Sequence, residues 1–293
     1  MIDLFYLKTF VAVTRTRSFR VAAERNFVTQ PAVSQHIRVL EKKLGAALFE
    51  RRGKSVIPTR AGETFLPYAE NILKQYEDAQ AHIRELGNKF GGTIRVATIY
   101  SIGLYELKPV VQEFLKKYPQ VNLHLEYQKS STIYEMVANR TVDFGMVAFP
   151  RKRSGVVART LAEDDLVLAQ SPQQRAIPRK TIALKELEGV KLIGFAAGTA
   201  TGKVIQHLFA ARKIRPDIRH EYDNIELIKS AVVLGLGCAL LPRKTILREL
   251  KDKTLETVEV KGLAIKRPIG VLYPGDKIFT KTTRTFYEML TQP

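Results

Sequence analysis

Five side chains within nine positions, Gln30, Pro31, Ser34, Gln35 and Arg38, have the size and chemistry to touch the edge of a base pair. A Gln amide pairs with adenine, an Arg guanidinium with guanine or phosphate, and a Ser hydroxyl with either. Around them Val33, Ile37, Leu40 and Leu44 recur at intervals of four, three and four, which predicts one helix with that stripe buried and the polar set outside. Thr29 can cap it, Pro31 falls where a missing N–H costs little, and Gly45 can end it. A solvated helix face is the bland alternative. A second cationic group follows at once: Arg51, Arg52 and Lys54 flank Gly53 ahead of Val56-Ile57-Pro58-Thr59. That order suits a two-stranded hairpin whose Arg52 and Lys54 enter a minor groove or hold phosphates, although a plain basic loop would share the composition.

Other elements must hold these groups in place. Asp3 can cap a helix to about Thr14, with Leu4, Leu7, Phe10 and Val11 on one face. Ser18 can cap a second, whose Ala22 and Ala23 permit close approach to the first. Phe27 and Val28 lie in the connecting turn and are expected to tuck beneath it. Leu48 and Phe49 read as core anchors. From Thr59 or Gly62 a long helix reaches about Leu86, where Phe65, Ala69, Ile72, Tyr76, Ala79 and Ile83 keep a four-three spacing. Such a stripe favours self-association, which would place two heads on the halves of an inverted repeat; packing within one domain is the competing outcome. Gly87, Gly91 and Gly92 then supply a hinge.

The charge balance agrees with a polyanionic partner. The chain of 293 residues has a formal charge of +18, and residues 1–60 hold twelve Lys/Arg against four Asp/Glu. The hydrophobic content of 45% suffices for packed cores. A single cysteine, Cys238, rules out an intrachain disulfide and a cysteine-based zinc site. The N-terminus shows no basic leader before an apolar run, and no stretch has bilayer-crossing length; the expected compartment is the cytoplasm, with no membrane partner.

From Thr93 the pattern alternates. Strands are expected at 94–98, 121–127, 142–147, 165–170, 191–195, 218–222, 238–241, 257–260 and 270–273, with helices at 105–118, 133–139, 202–213, 225–234, 242–249 and 279–290. This spacing suits two small α/β lobes joined by crossings near 158–166 and 264–270, the last segment returning to the first lobe. A cleft between them is a natural small-molecule site. Its candidate lining is Thr98, Tyr100, Ser101, Ser130, Ser131 and Phe149 from one lobe and Gly198, Thr199, Thr201 and Gly202 from the other. Hydroxyls near helix starts favour a carboxylate or phosphate, yet Ser and Thr are also ordinary caps. No obvious arginine clamp accompanies them, so an aromatic or uncharged ligand stays open.

Catalysis finds little support. Gly-x-Ser-x-Gly, His-Glu-x-x-His and a phosphate loop are absent, and His36, His82, His124, His207 and His220 lack metal-ligand spacing. Gly235-Leu236-Gly237 sits after a helix and before a strand, the wrong order for a dinucleotide loop, and reads as a tight turn delivering Cys238 into a core. A cytoplasmic solute-binding module with a basic head is the other class to weigh, and an isolated enzyme comes third. No catalytic residue, cofactor or metal is assigned.

The chain resembles the LysR-type transcriptional regulators over essentially its whole length. The match rests on Phe10-Val11-Ala12-Val13, Ser18-Phe19, Ala22-Ala23, Thr29-Gln30-Pro31-Ala32-Val33-Ser34, Leu40-Glu41, Leu44-Gly45 and Thr59-Arg60-Ala61-Gly62. Weaker echoes are Tyr118-Pro119, Val142-Asp143 and Leu241-Pro242. The resemblance implies an α/β protein with an N-terminal winged helix-turn-helix over 1–60, a linker and dimerisation helix with hinge over 61–90, and a two-lobed effector domain of periplasmic-binding-protein type over 91–293. Lobe I would take about 91–160 and 267–293, and lobe II about 161–266. It further implies operator contacts by Gln30, Pro31, Ser34, Gln35 and Arg38, a wing carrying Arg52 and Lys54, and assembly as a dimer or a dimer of dimers. The implied partners are double-stranded DNA, a small-molecule inducer in the cleft and RNA polymerase. Gln35-His36 departs from a common Arg-Gln pair, and Arg60 stands where Glu is frequent.

Overall fold

The computed structural model describes residues 3–52, 55–85 and 90–292, with the side chains of residues 51, 52, 55, 84 and 85 left aside. The expectations for Gly53, Lys54, Leu86 and Gly87, and for the Arg52 side chain, therefore lie outside the described residues. The chain forms two compact units, one of Met1–Gly92 grouped with Asn139–Thr141 and one of Thr93–Ala138 with Val142–Pro293.

The first unit begins with three helices: α1 (Leu4–Thr16), α2 (Phe19–Asn26) and α3 (Gln30–Leu44). Each starts where a short polar side chain takes an orphan N–H: Asp3 accepts from Phe5, Ser18 from Val21 and Thr29 from Ala32. Such caps are worth about 1 kcal/mol each. Gly45 ends α3 at φ +69°, a left-handed position that suits glycine. Leu7, Phe10, Val13, Val33, Ile37 and Leu40 meet in the core, and Ala22 and Ala23 let α2 approach α1 closely. A two-stranded ribbon follows, β1 (Phe49–Arg52) against β2 (Ser55–Pro58), then the long helix α4 (Arg60–Glu85).

Three expectations fail here. Phe27 is not tucked in but 96% exposed. It occupies the left-handed residue that terminates α2 at φ +56°, and that reversal turns Val28, not Phe27, toward the core. Leu44, last on its stripe, is 40% exposed because α3 ends beside it. Ala69 is fully buried in the head's own core, with Phe65 half-buried beside it, so Ala69 is not available to a second chain.

The second unit opens with β3 (Thr93–Thr98), α5 (Tyr100–Ile102), a π-helical turn (Gly103–Leu107), α6 (Lys108–Lys117), β4 (Asn122–Tyr127), α7 (Ser130–Ala138) and β5 (Phe144–Ala148). β3 pairs in parallel with both β4 and β5. The helix after β3 thus starts five residues earlier than its apolar pattern suggests, which puts Tyr100 and Ser101 inside its first turn. β6 (Val156–Gln170) is one 15-residue strand whose first half, read as a crossing segment, is extended as well. After it come β7 (Thr181–Ala183), β8 (Lys191–Phe195), α8 (Ala200–Ala211), β9 (Asp217–Tyr222), α9 (Ile225–Val233) and β10 (Ala239–Pro242). A 3-10 turn (Arg243–Ile246), α10 (Leu247–Lys251), β11 (Glu256–Lys261), β12 (Lys266–Pro274) and α11 (Lys281–Thr291) complete the chain. β7, only three residues long, has no counterpart among the expected strands.

β6 and β12 run antiparallel from Val156/Pro274 to Asp165/Lys266 and carry the sheet from one lobe to the other. The resulting order is β4-β3-β5-β12-β6-β11-β7, with β10 also on β6 and β8-β9 as a separate pair. At the far end Phe286 of α11 meets Phe114 of α6 at 5.0 Å, so the final segment returns to the first lobe. Cys238 is fully buried, and burial pushes its thiol up to about 12.

Candidate nucleic-acid interface and effector cleft

With Val33, Ile37 and Leu40 buried, α3 exposes Gln30, Pro31, Gln35 and Arg38 and half-exposes Ser34. The polar edge is a geometric consequence of the stripe's spacing. His36, sequence neighbour of that edge, does a different job. Its ring stacks on Tyr6 at 4.7 Å, meets Phe5 edge-on at 5.4 Å, and its Nδ1 lies 3.1 Å from Thr9 Oγ1. It braces α3 on α1.

The ribbon is tied to α3 by Glu41, whose Oε1 accepts from Leu48 N at 2.8 Å and Phe49 N at 3.4 Å. Thr59 joins the other end: its Oγ1 donates to Ala47 O at 2.7 Å and accepts from Gly62 N at 3.1 Å. A Cβ on Gly62 would lie 2.2 Å from Leu48 O, so only glycine fits where the first turn of α4 lies against the Leu48 carbonyl. Farther along α4, Ile72 and Tyr76 are each 46% exposed and Ile83 68%, and Ala79 is also exposed. These four form the outward part of the six-residue stripe.

In the second unit the hydroxyls divide by what they already bond. Thr98 is fully buried and its Oγ1 donates to Ile99 O at 3.2 Å, so this side chain is not free for a ligand. Thr199 caps α8: its Oγ1 accepts from Gly202 N at 3.0 Å and donates to Ala196 O at 2.8 Å. Thr201 and Gly202 are buried, and a Cβ on Gly202 would lie 2.7 Å from Ala196 O. For this set the capping role accounts for the geometry, and only Gly198 is exposed. Ser130 and Ser131 open α7. Phe149 holds a left-handed φ of +53° and its N donates to Pro268 O at 2.8 Å. Tyr100, 44% exposed, stacks on Tyr127 with centroids 5.0 Å apart.

Ser101 leads to what the sequence concealed. Its Oγ accepts from Arg267 Nη2 at 2.6 Å, joining α5 to the crossing strand β12. Burial pulls the Arg267 pKa down to about 10, against the opposing pull of Asp164 and Glu106. Burial likewise raises Asp164, which accepts from Lys244 N at 3.2 Å. The next turn carries a second polar seam. Tyr105 OH donates to Glu226 Oε1 at 2.6 Å and is bonded by Lys229, whose Nζ reaches Glu249 at 2.7 Å. Burial lifts Tyr105 to about 12. Burial lowers Lys229, but the bonds from Glu249 and Tyr105 outweigh it and hold the ammonium above its ordinary value. These contacts pin the π-helical turn of the first lobe to α9 and, through Lys229, to α10. The sequence offered no signal for them beyond isolated charges. A cavity of about 540 Å³ over β6 and β11, lined by Asp165, Lys180, Arg243 and Glu259 among others, holds none of the residues singled out from sequence.

No described helix is long and apolar enough to cross a membrane, and no cluster of three or more His, Cys, Asp or Glu suited to a metal occurs among the described residues.

Comparison with known proteins places both units. The family model for bacterial regulatory helix-turn-helix proteins of the lysR family matches residues 4–63, and that for the LysR substrate binding domain matches 87–292. A probable RuBisCO transcriptional regulator of Thalassiosira pseudonana is 30% identical over 292 residues, spanning 97% of this chain and 95% of its own. The fold matches CbnR, a LysR family transcriptional regulator, with a TM-score of 0.76 at 24% identity over 98% of each chain. It also matches the Synechocystis CcmR regulatory domain in complex with 2-PG, with a TM-score of 0.62 at 23% identity over 68% of this chain and 95% of that one. The chain belongs to the LysR family: it is a DNA-binding transcriptional regulator with an effector-binding domain.

Proposed function

We propose that this regulator reads an inverted-repeat operator as a dimer or dimer of dimers, with Gln30, Pro31, Ser34, Gln35 and Arg38 facing the major groove. One observation carries the reading: α3 buries Val33, Ile37 and Leu40 and leaves that polar edge open to solvent. Gln30 and Arg38 supply selectivity, whereas Arg52 and Lys54 of the wing hold phosphate. The outward residues Ile72, Tyr76, Ala79 and Ile83 of α4 are the surface for self-association. The effector acts at the Tyr100–Ser101 turn of the second unit, where an exposed ring adjoins a bonded hydroxyl. The protein acts by binding and not by catalysis, in the cytoplasm, with RNA polymerase as its downstream partner. Selection of duplexes from a random pool by the full-length protein, followed by gel shift, tests the first claim. Recovery of an inverted repeat, with Gln30→Ala narrowing the gap between that duplex and random DNA, is the expected result. An unselected pool would refute it.

A further inference from the structure

The sheet of the second unit divides at one place. Over Glu256, Thr257 and Val258, β11 pairs with β6 at Gln170, Ala169 and Leu168; from Glu259 it pairs with β7 instead. β6 has β12 as its neighbour only up to Asp165. Between these ladders lies the fork that holds the cavity of about 540 Å³. The loop joining β11 to β12 borders it, and there Leu166 N donates to Ile265 O at 3.2 Å. That volume falls within the roughly 300–1,000 Å³ that small-molecule sites occupy.

The lining has two parts. Leu166, Val260, Leu263 and Ile265 supply hydrocarbon, and the exposed side chains of Lys180 and Arg243 supply charge. The carboxylates of the lining are already engaged, Asp165 by Lys266 at 2.7 Å and Glu259 by the Thr181 hydroxyl at 2.9 Å. Lys180 is near enough to Glu256 to lower that group's pKa, yet Glu256 is bonded by Arg175 and Gln170. The Arg243 side chain has no partner among the described residues. Lys180, Arg243 and Lys266 thus stand against Asp165 and Glu259, an excess of one positive charge. A monoanion balances that excess, whereas a dianion would exceed it beside two carboxylates. A guanidinium fork matches the paired oxygens of a carboxylate, and the hydrocarbon wall matches a short apolar body.

The cavity also adjoins the polar seam between the lobes. Asp165, Arg243 and Lys266 are the sequence neighbours of Asp164, Lys244 and Arg267. Successive residues of a strand face opposite sides, so Asp164 and Arg267 are buried while Asp165 and Lys266 are exposed. Fork and seam are two faces of the same strands.

We propose that the fork is a second small-molecule site, separate from the Tyr100–Ser101 turn, for a carboxylate monoanion with a short hydrocarbon body. Arg243 and Lys180 take the carboxylate, and the wall around Leu263 takes the chain.

Titration of the full-length protein with hexanoate, followed by ligand-observed NMR, tests it, with hexan-1-ol, acetate and inorganic phosphate as comparison probes. Hexanoate should bind wild type at millimolar concentration or tighter, and more strongly than each of the others. Binding should weaken about tenfold in the double variant Lys180→Gln/Arg243→Gln, whose exposed positions leave the core intact. Lys108→Gln removes an exposed cation from the first lobe and should leave hexanoate affinity unchanged, which separates a site from general attraction to a basic protein. Ser101→Ala should leave it unchanged as well. Absence of hexanoate binding, or a comparison probe bound as tightly, overturns the proposal. So does equal hexanoate affinity in wild type and the double variant, or a loss in Lys108→Gln or Ser101→Ala as large as in the double variant.

Discussion

The core of the head and the junction of the two lobes treat charge in opposite ways. In the helical head the core is hydrocarbon, from Phe10 to Leu40, and the groups offered for recognition stand at the surface. In the α/β unit Arg267, Asp164 and Lys229 are each 5% exposed or less and sit where the lobes join. A surface built this way can attract a polyanion from a distance and exchange partners quickly, because no charge has to be dehydrated first. Buried charge has the contrary character. It is indifferent to salt but sensitive to the removal of any one partner, which makes it suited to holding an interlobe geometry that a small ligand can alter.

That contrast can be broken by substitution. The largest effect is expected in the hydrocarbon core, where Phe10→Ala should cost the head about 3–5 kcal/mol. A urea titration should then show an early transition, and a loss under 1 kcal/mol would mean that the core has other supports. In the polar seam, Lys229→Met leaves the partly buried Glu249 carboxylate without its cation and should cost about 2–3 kcal/mol. Adding Glu249→Gln should restore much of it, and additive losses in the double variant would argue against a coupled pair. On the head surface, Gln30→Ala and Arg38→Ala should each lower discrimination between selected and random duplexes by about 1–3 kcal/mol with little change in stability. Unchanged affinity ratios would remove those residues from base recognition.

Two smaller effects sharpen the comparison. Burial raises Asp164 above 3.8, so the native state binds this proton more readily than the unfolded chain. The group therefore adds stability as pH falls through its folded value toward 3.8, and Asp164→Asn should steepen the acid limb of a stability profile. A parallel or shallower limb would contradict the shift. Phe27→Gly should relieve a left-handed residue at φ +56°. Offset by the freer unfolded chain, the gain should be up to about 1 kcal/mol, and a lowered melting temperature would show that the exposed ring has a partner within the chain.

What could be read in advance follows the same division. Asp3, Ser18, Thr29 and Gly45 act within a few residues of themselves, so the head's helices and their ends were visible in the chain order. The strands of the second unit were mostly visible for the same reason. Phe27 misled because its hydrophobicity argued for burial while its backbone position, the reversal after α2, forbade it. Ala69 misled because one helical stripe serves two destinations, the head's own core near Phe65 and open solvent beyond Ile72. Among the candidate effector hydroxyls, those of Thr98 and Thr199 prove to be committed to local bonds. Arg267 lies 166 residues from Ser101, and only the return of β12 through the crossing brings them together. No periodicity encodes such a meeting.

β6 has a mechanical consequence. Fifteen residues of uninterrupted strand make a spar roughly 50 Å long through both lobes. Its antiparallel companion β12 is irregular at one place, the register slip between Ile269 and Gly270. There Gly270 has room for no side chain, since a Cβ would come within 2.5 Å of Pro150. A rotation of one lobe against the other would thus find its pivot at that kink, a few residues along the same strand from Arg267, where a small displacement is converted into the widest swing.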